Sequence, residues 1–341
     1  MLAGFIFDNL FFERIDLWQT QAVFAFYTAI CFITIPLLHR IETRVTRGIS
    51  APRWSSILPI ATQFALGGFW SGFVIFYGRS AVFGVSWPFL LFLFLVFIGN
   101  EYFRRYHSRL VFTSALFFFA LYSYAIFAIP IYIGTIGMLT FILSGVVAIF
   151  VFALFTILLR FVGRERFIAD VWRIRVWAFL IFVAINVSYF TNILPPLPLS
   201  AVAGGIYHQV WNVPGNYFAK NEDQSWQVRY LGFPPILHVI RGESLYAYSS
   251  VFAPTSLKTN IVHEWQRYDS QNKKWIITAT VSYPIVGGRD GGYRGYSNAF
   301  VPTTGKWRVN IETTDGRLIA RLPFTVELTT ASPIVETITL K

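Results

Sequence analysis

The residue types that do chemistry are concentrated in one stretch of this chain. Gly287-Gly288-Arg289-Asp290-Gly291-Gly292-Tyr293-Arg294-Gly295-Tyr296 places five glycines within nine residues. It is no phosphate loop, because it lacks the Gly-Lys-Ser/Thr ending and no helix signal follows it. Glycine at this density lets a backbone turn sharply or approach a partner closely, and Arg289, Asp290, Tyr293, Arg294 and Tyr296 project from it. One reading is a structural corner in which Asp290 pairs with Arg289 or Arg294. The other is a recognition loop, since arginine and tyrosine are the side chains richest in binding energy. Such a loop suits a sugar, an anionic polymer or a protein surface.

His263 and Trp265 are the next candidates. They alternate with Ile261 along one strand face, which favours a core histidine over a ligand. His208 and His238 could join His263 around a metal, but no H-x-x-x-H or H-x-H spacing and no cysteine accompanies them. Neither a metal nor a cofactor is expected. Glu264 and Asp290 are the carboxylates an acid–base mechanism would use, yet nothing in the spacing brings them together. No residue is assigned to catalysis.

The elements that hold these residues lie beyond a proline-rich junction, Asn192-Ile193-Leu194-Pro195-Pro196-Leu197-Pro198-Leu199-Ser200, which cannot continue a helix. The chain is chemically different on its two sides. Overall, 55% of its 341 residues are hydrophobic and only 13% charged, with mean hydropathy +0.53, far from the balance of a soluble domain. Residues 1–194 carry 14 Arg, no Lys and 7 acidic residues, whereas lysine and alternating polarity begin only afterwards. The net charge is +11, but half of the basic residues sit beside apolar runs, where positive-inside bias explains them, so a nucleic-acid partner is not expected. The single cysteine, Cys31, sits in an apolar run. The aqueous part must therefore be stable through its own core.

Six apolar runs read as membrane spans at about 17–38, 57–77, 83–99, 110–129, 133–159 and 176–194, each near the ~20 residues that cross a bilayer. Pro130 is expected to end the fourth. Residues 1–16 lack the marks of a secretory signal, and Phe5, Phe7, Leu10, Phe11 and Phe12 suggest an interfacial segment. Trp18, Trp54 and Trp177 sit where interfacial anchors belong. The loops after spans one, three and five hold 4, 3 and 5 arginines, against Arg79 alone after span two and none after span four. That alternation places the arginine-rich loops in the cytoplasm and both termini outside. No charge lies deep within a span, which argues against an ion-coupled transporter. Gln63 and Asn186 are read as interhelical hydrogen-bonding groups. Gly68 and Gly72 form a G-x-x-x-G face where a second helix can approach, within the bundle or from another copy.

The remainder, residues 206–341 after a junction at 195–205, reads as all-β. Trp275–Ser282 alternates with period two, and so does Lys306–Thr313. Asp315-Gly316 is read as a two-residue turn with both residues at positive φ. That register sets Ile311 opposite Ala320, Val309 opposite Leu322 and Trp307 opposite Phe324, all on one apolar face. Asn260–Tyr268, Ser244–Phe252, Trp226–Leu231 and Ile206–Trp211 read as further strands. Six or seven short strands suggest an immunoglobulin-like β-sandwich.

Residues 261–328 resemble the bacterial domain of unknown function 2914. The resemblance lies in Ile261-Val262-His263-Glu264-Trp265, the Gly287–Tyr296 stretch and Gly305-Lys306-Trp307-Arg308-Val309. It implies a domain carried after a multi-span membrane region, and the Pro195–Ser200 junction is similar to that of family members. It implies no activity and no site residues. The expectation is an α-helical bundle of six spans in a bacterial cytoplasmic membrane, followed by an extracytoplasmic β-sandwich that binds an envelope glycan, peptide or partner protein. A membrane-surface enzyme acting on envelope lipid or polymer is the alternative, and a transporter is less favoured.

Overall fold

The computed structural model describes residues 12, 14–102, 109–224, 226, 228, 233–255, 257–289 and 291–340. Asp290, Arg104, Arg105 and most of the interfacial segment (Phe5, Phe7, Leu10 and Phe11) lie outside the described residues. The chain divides into two compact units, Met1–Pro198 and Leu199–Lys341.

The first unit contains six α-helices among the described residues: α1 Trp18–Thr46, α2 Ile57–Ser80, α3 Phe83–Tyr102, α4 Leu110–Ile133, α5 Met138–Val162 and α6 Arg164–Phe190. Four stretches are long and apolar enough to cross a membrane: Trp18–Thr46, Arg53–Ser80, Leu110–Ile133 and Met138–Val162. In α3 the apolar portion, Val85–Gly99, is shorter. The first half of α6 carries Arg164, Glu165, Arg166, Asp170, Arg173 and Arg175, a segment read from sequence as a loop. It is helical because its apolar residues recur at helical spacing, burying Phe167 and Ile174. Pro130 does not end α4. The helix runs one turn further and stops at Gly134, whose φ of 75° is left-handed and whose N–H bonds to the Pro130 carbonyl.

Close packing of aromatic rings holds α1 against α2. A Cβ on Gly68 would lie 2.3 Å from the Tyr27 ring, and one on Gly72 would lie 2.5 Å from Phe24. The G-x-x-x-G face is thus filled by α1 of the same chain. Phe24 is fully buried and stacks on Phe73 with ring centroids 5.7 Å apart. Asn186 of α6 donates to the Tyr122 hydroxyl of α4 at 3.1 Å, the interhelical bond expected of it. At the opposite end of α6, Arg166 bonds to Glu42 of α1, and Arg47 pairs with Glu165. These pairs bring together two segments read from sequence as arginine-rich loops. Large apolar side chains remain on the outside of the unit, among them Leu139, Phe150 and Phe161 of α5 and Phe179 and Phe190 of α6.

The second unit contains eleven strands among the described residues: β1 Ser200–Tyr207, β2 Gln209–Val213, β3 Asn216–Glu222, β4 Ile236–Ile240, β5 Ser244–Phe252, β6 Lys258–Asp269, β7 Lys274–Val286, β8 Tyr293–Phe300, β9 Gly305–Thr313, β10 Leu318–Thr329 and β11 Val335–Leu340. They form three sheets, ordered β4-β10-β9-β6-β7, β1-β5-β8 and β11-β3-β2. All pairs are antiparallel except β4 with β10. One core is shared by the five-stranded sheet (Trp265, Trp307, Val309, Phe324, Val326) and the β1-β5-β8 sheet (Ile206, Leu245, Ala247, Ala299). A second, smaller core joins Tyr246 and Tyr248 of β5 to Val210, Tyr217, Ala219 and Leu340 of the third sheet. The β1-β5-β8 sheet is therefore covered on both faces, and β5 is buried almost continuously instead of alternating.

Three sequence expectations change here. The strand read as Ile206–Trp211 is divided between β1 and β2 at His208, and β1 already begins at Ser200, inside the stretch read as junction. Of Trp226–Leu231, the described residues Trp226 and Val228 are helical. The third correction concerns the β9–β10 turn. Only Gly316 is left-handed there, at φ 76°. The Thr313 N–H bonds to the Arg317 carbonyl, and a bulge between Leu318 and Ala320 adds one residue. The bulge compensates for the different turn, so Ile311 pairs with Ala320, Val309 with Leu322 and Trp307 with Phe324, as the pattern requires.

Candidate functional site

The glycine-rich stretch connects β7 to β8, and its glycines have separate reasons to be there. A Cβ on Gly287 would lie 1.6 Å from the Pro254 carbonyl oxygen, and one on Gly295 would lie 2.4 Å from the Tyr283 ring. Gly288 and Gly292 have φ of 99° and 77°, the left-handed region where a side chain is strained. Gly291 differs, with nothing closer to an added Cβ than the Arg294 guanidinium at 3.7 Å. The loop is tied down by Gly288 N–H to the Ala253 carbonyl and Gly287 N–H to the Leu257 carbonyl. Ser250 of β5 also donates to the Gly291 carbonyl.

Beside this corner is a cleft of about 450 Å³, walled by Arg289, Gly291, Gly292 and Arg294 on one side and by Asn212, Gly215 and Tyr217 of the β2–β3 hairpin on the other. That hairpin turns at Pro214-Gly215, with Gly215 at φ 93° and Val213 paired to Asn216. Tyr217 donates to the Arg294 carbonyl at 3.2 Å, which fixes the hairpin against β8. Among the described residues, neither the Arg289 nor the Arg294 guanidinium has a carboxylate within ion-pair distance. Arg289 instead lies over the Tyr293 ring, 5.2 Å from its centroid. The Tyr296 ring, 40% exposed, meets Tyr217 edge to face at 6.3 Å. Burial raises the Tyr217 hydroxyl pKa, neighbouring Tyr293 and Tyr296 raise it further, and Arg289 and Arg294 draw it back. Two cations and the Tyr217 phenol thus line one concavity, with Tyr293 and Tyr296 packed against those lining residues.

His263 and Trp265 lie elsewhere, fully buried between the five-stranded and β1-β5-β8 sheets. His263 Nε2 is 2.8 Å from the Ser249 hydroxyl and 3.1 Å from that of Tyr283. Its Nδ1 is 2.9 Å from the Ser297 hydroxyl, and Trp265 Nε1 donates to the same oxygen at 3.0 Å. An indole N–H can only donate, so Ser297 accepts from Trp265. Every atom is satisfied when Ser297 donates to Nδ1 and the imidazole proton sits on Nε2. Burial pushes the His263 pKa down to about 4, so the ring is neutral at physiological pH. This network joins β5, β6, β7 and β8, and Tyr283 within it is the side chain that packs beneath Gly295.

Glu264 follows His263 on β6 and so projects from the opposite face of the sheet. There it lies near Glu312, whose pKa is raised by burial and by the Glu264 charge. His263 and Glu264 cannot act on one substrate atom. His208 and His238 do come together, but around Glu222 and not His263. His208 Nε2 is 3.3 Å from Glu222 and His238 Nδ1 is 2.5 Å from it. Burial raises the Glu222 pKa, but hydrogen bonds from both histidines outweigh this and hold it below the ordinary value. Among the described residues no group of three or more His, Cys, Asp or Glu has the geometry to hold a metal ion.

Of the residues named from sequence, Arg289 and Arg294 line this cleft, whereas Asn212 and Tyr217 across it were not named. Pro214-Gly215 between two apolar runs was the available sign of that hairpin.

No curated protein matches this chain. Among solved structures, a β-glucosidase from Listeria innocua aligns at 14% identity and TM-score 0.21, over 33% of this chain and 16% of that one. Its complex with gluconolactone aligns over the same shares, at 14% identity and TM-score 0.20. The Pseudomonas fluorescens alkylpurine DNA glycosylase AlkC, bound to DNA containing an abasic site analog, aligns at 8% identity and TM-score 0.24, over 92% of this chain and 99% of that one. Scores this low do not relate the folds. Residues 258–326, from the start of β6 through most of β10, match the model of a protein family of unknown function, DUF2914.

Proposed function

We propose that this chain is a multi-pass protein of a bacterial cytoplasmic membrane that presents an extracytoplasmic binding domain. In this reading the six helices are six spans, the arginine-rich ends face the cytoplasm and both termini lie outside. Four helices of sufficient length and hydropathy and the apolar side chains left outward on α5 and α6 support it. The two sheets that share the larger core are the sandwich, immunoglobulin-like in outline, on which the binding loop is mounted.

The function is recognition of an anionic envelope ligand: an acidic glycan, an acidic peptide or an acidic patch on a partner protein. The observation that carries this reading is the cleft itself, in which Arg289 and Arg294 face solvent beside tyrosine rings with no carboxylate paired to either among the described residues. Arginine forks recognise carboxylates and phosphates bidentately, and tyrosine faces pack on sugar or peptide. Isothermal titration of the detergent-solubilised full chain with acidic and neutral oligosaccharides, and with acidic and neutral peptides, tests it. Arg289→Ala/Arg294→Ala should lose acid-dependent binding by at least about tenfold, roughly the worth of one charge-assisted hydrogen bond. Equal affinity for acidic and neutral ligands, or binding untouched by the variant, would remove the assignment.

A further inference from the structure

We infer that the helical unit holds an anionic phospholipid of its own bilayer in a cavity between α3, α4 and α6. This goes beyond the extracytoplasmic site and rests on the reading of the helices as membrane spans. The cavity, about 750 Å³, is walled by Phe92, Val96, Ala115, Phe119, Trp177 and Ile181 among others, and its lining includes Arg109, Arg166, Arg173 and Asp170. The charged residues belong to the N-terminal parts of α4 and α6, and Phe119 and Ile181 lie further along those helices. At about 1.5 Å per residue, the ten residues from Arg109 to Phe119 separate the polar and apolar ends by roughly 15 Å. A volume with cations at one end and aliphatic and aromatic walls beyond fits one amphiphile: phosphate at the arginines, acyl chain along the walls.

Charge selects among lipids. Three guanidiniums stand against Asp170 in the lining and Glu42, which bonds to Arg166, so among the described residues positive charge outnumbers negative at this end. Arg166 already bonds to Glu42 and Arg173 to Asp170, but a guanidinium has five N–H donors, so these pairs leave donors for a phosphate. Basic pockets between helices on the cytoplasmic side are where anionic head groups are held. A zwitterionic head group would bring its own cation to the same arginines and lose much of the attraction.

The test is native mass spectrometry of the full chain in detergent, titrated with phosphatidylglycerol and, separately, phosphatidylcholine of matched acyl chains. The wild type should bind phosphatidylglycerol roughly tenfold more tightly. Arg109→Gln/Arg173→Gln should erase that preference. Ala115→Trp, which fills the cavity without changing charge, should reduce retention of both lipids. Melting in lipid-free detergent identifies any variant that fails to fold, and the wild-type preference stands as an independent measurement. Equal retention of the two lipids by the wild type, a preference that persists in the folded Arg109→Gln/Arg173→Gln variant, or unchanged retention by the folded Ala115→Trp variant would overturn the inference. Membrane fractionation separates its failure from that of the reading beneath it. A chain found in membranes without the lipid preference defeats the inference alone, whereas a chain absent from membranes defeats both.

Discussion

At the scale of single residues, His263 and the loop glycines show how a site can be surrounded by structural constraints without being made of them. The imidazole titrates near its ordinary value of 6.5 in the unfolded chain but only at about 4 when folded. Between those values the unfolded state holds the extra proton, so stability falls as pH drops through that window and is constant above it. The loss should reach about 3 kcal/mol by pH 4, at 1.36 kcal/mol per pH unit. Hydrogen exchange of the β5 and β6 amides in the full chain, corrected for intrinsic rates, should show it, and His263→Gln should flatten it. Glycine substitutions divide in the same way. Gly287→Ala must push a Cβ into the Pro254 carbonyl and should cost more than the 1–3 kcal/mol typical of overpacking. Gly291→Ala meets only the end of a flexible arginine, so melting should be little changed. The sequence showed that this stretch turns and that Arg289 and Arg294 could face outward. The alternation of His263 with Ile261 and Trp265 already favoured a core histidine, but not its partners Ser249, Tyr283 and Ser297, which come from three other strands and leave no local pattern.

At the scale of elements, what could be read depended on whether a segment's environment was uniform. The β9–β10 hairpin has one buried face, and Trp307, Val309 and Ile311 opposite Phe324, Leu322 and Ala320 specify its register even though the turn residues adopt another geometry. The strand β5 is covered by two layers, which erases alternation. The sheet of β11, β3 and β2 went unrecognised, with Pro214-Gly215 its one clear punctuation. In the helical unit, α6 begins at Arg164, twelve residues before the apolar run suggests, because hydropathy reports the solvent and not the backbone. The G-x-x-x-G face was legible as a contact, though not its occupant. Since Tyr27 and Phe24 fill it, Gly68→Leu or Gly72→Leu should force α1 away from α2. The expected cost is about 1–3 kcal/mol or more in an SDS-titration unfolding assay, with no change of oligomeric state by light scattering. A lost oligomer with an unchanged unfolding midpoint would mean that the face serves another copy.

At the scale of the whole molecule, sidedness decides whether the cleft and the lipid cavity meet the chemistry proposed for them. An extracytoplasmic cleft of arginines meets acidic envelope polymers, whereas a cytoplasmic one would meet nucleotides and soluble phosphates. The arginine bias sets the orientation only if each helix crosses, and α3 and α6 are the two whose apolar portions are shortest. The ion pairs of Glu42 with Arg166 and of Arg47 with Glu165 put the end of α1 beside the start of α6, as the even number of crossings between them in the proposed topology requires. Were one of α2 to α5 not to cross, those ends would lie on opposite faces of the membrane and the pairs could not form. Cysteine labelling makes this measurable. With Cys31→Ala as background, Ser270→Cys in the exposed β6–β7 turn should react with a membrane-impermeant maleimide in intact spheroplasts. Ser50→Cys, exposed between α1 and α2, should react only after lysis. Labelling of both before lysis would require an odd number of crossings between positions 50 and 270 to be replaced by an even one. The cleft would remain outside in that case, but the arginine end of the lipid cavity would no longer face the cytoplasmic leaflet.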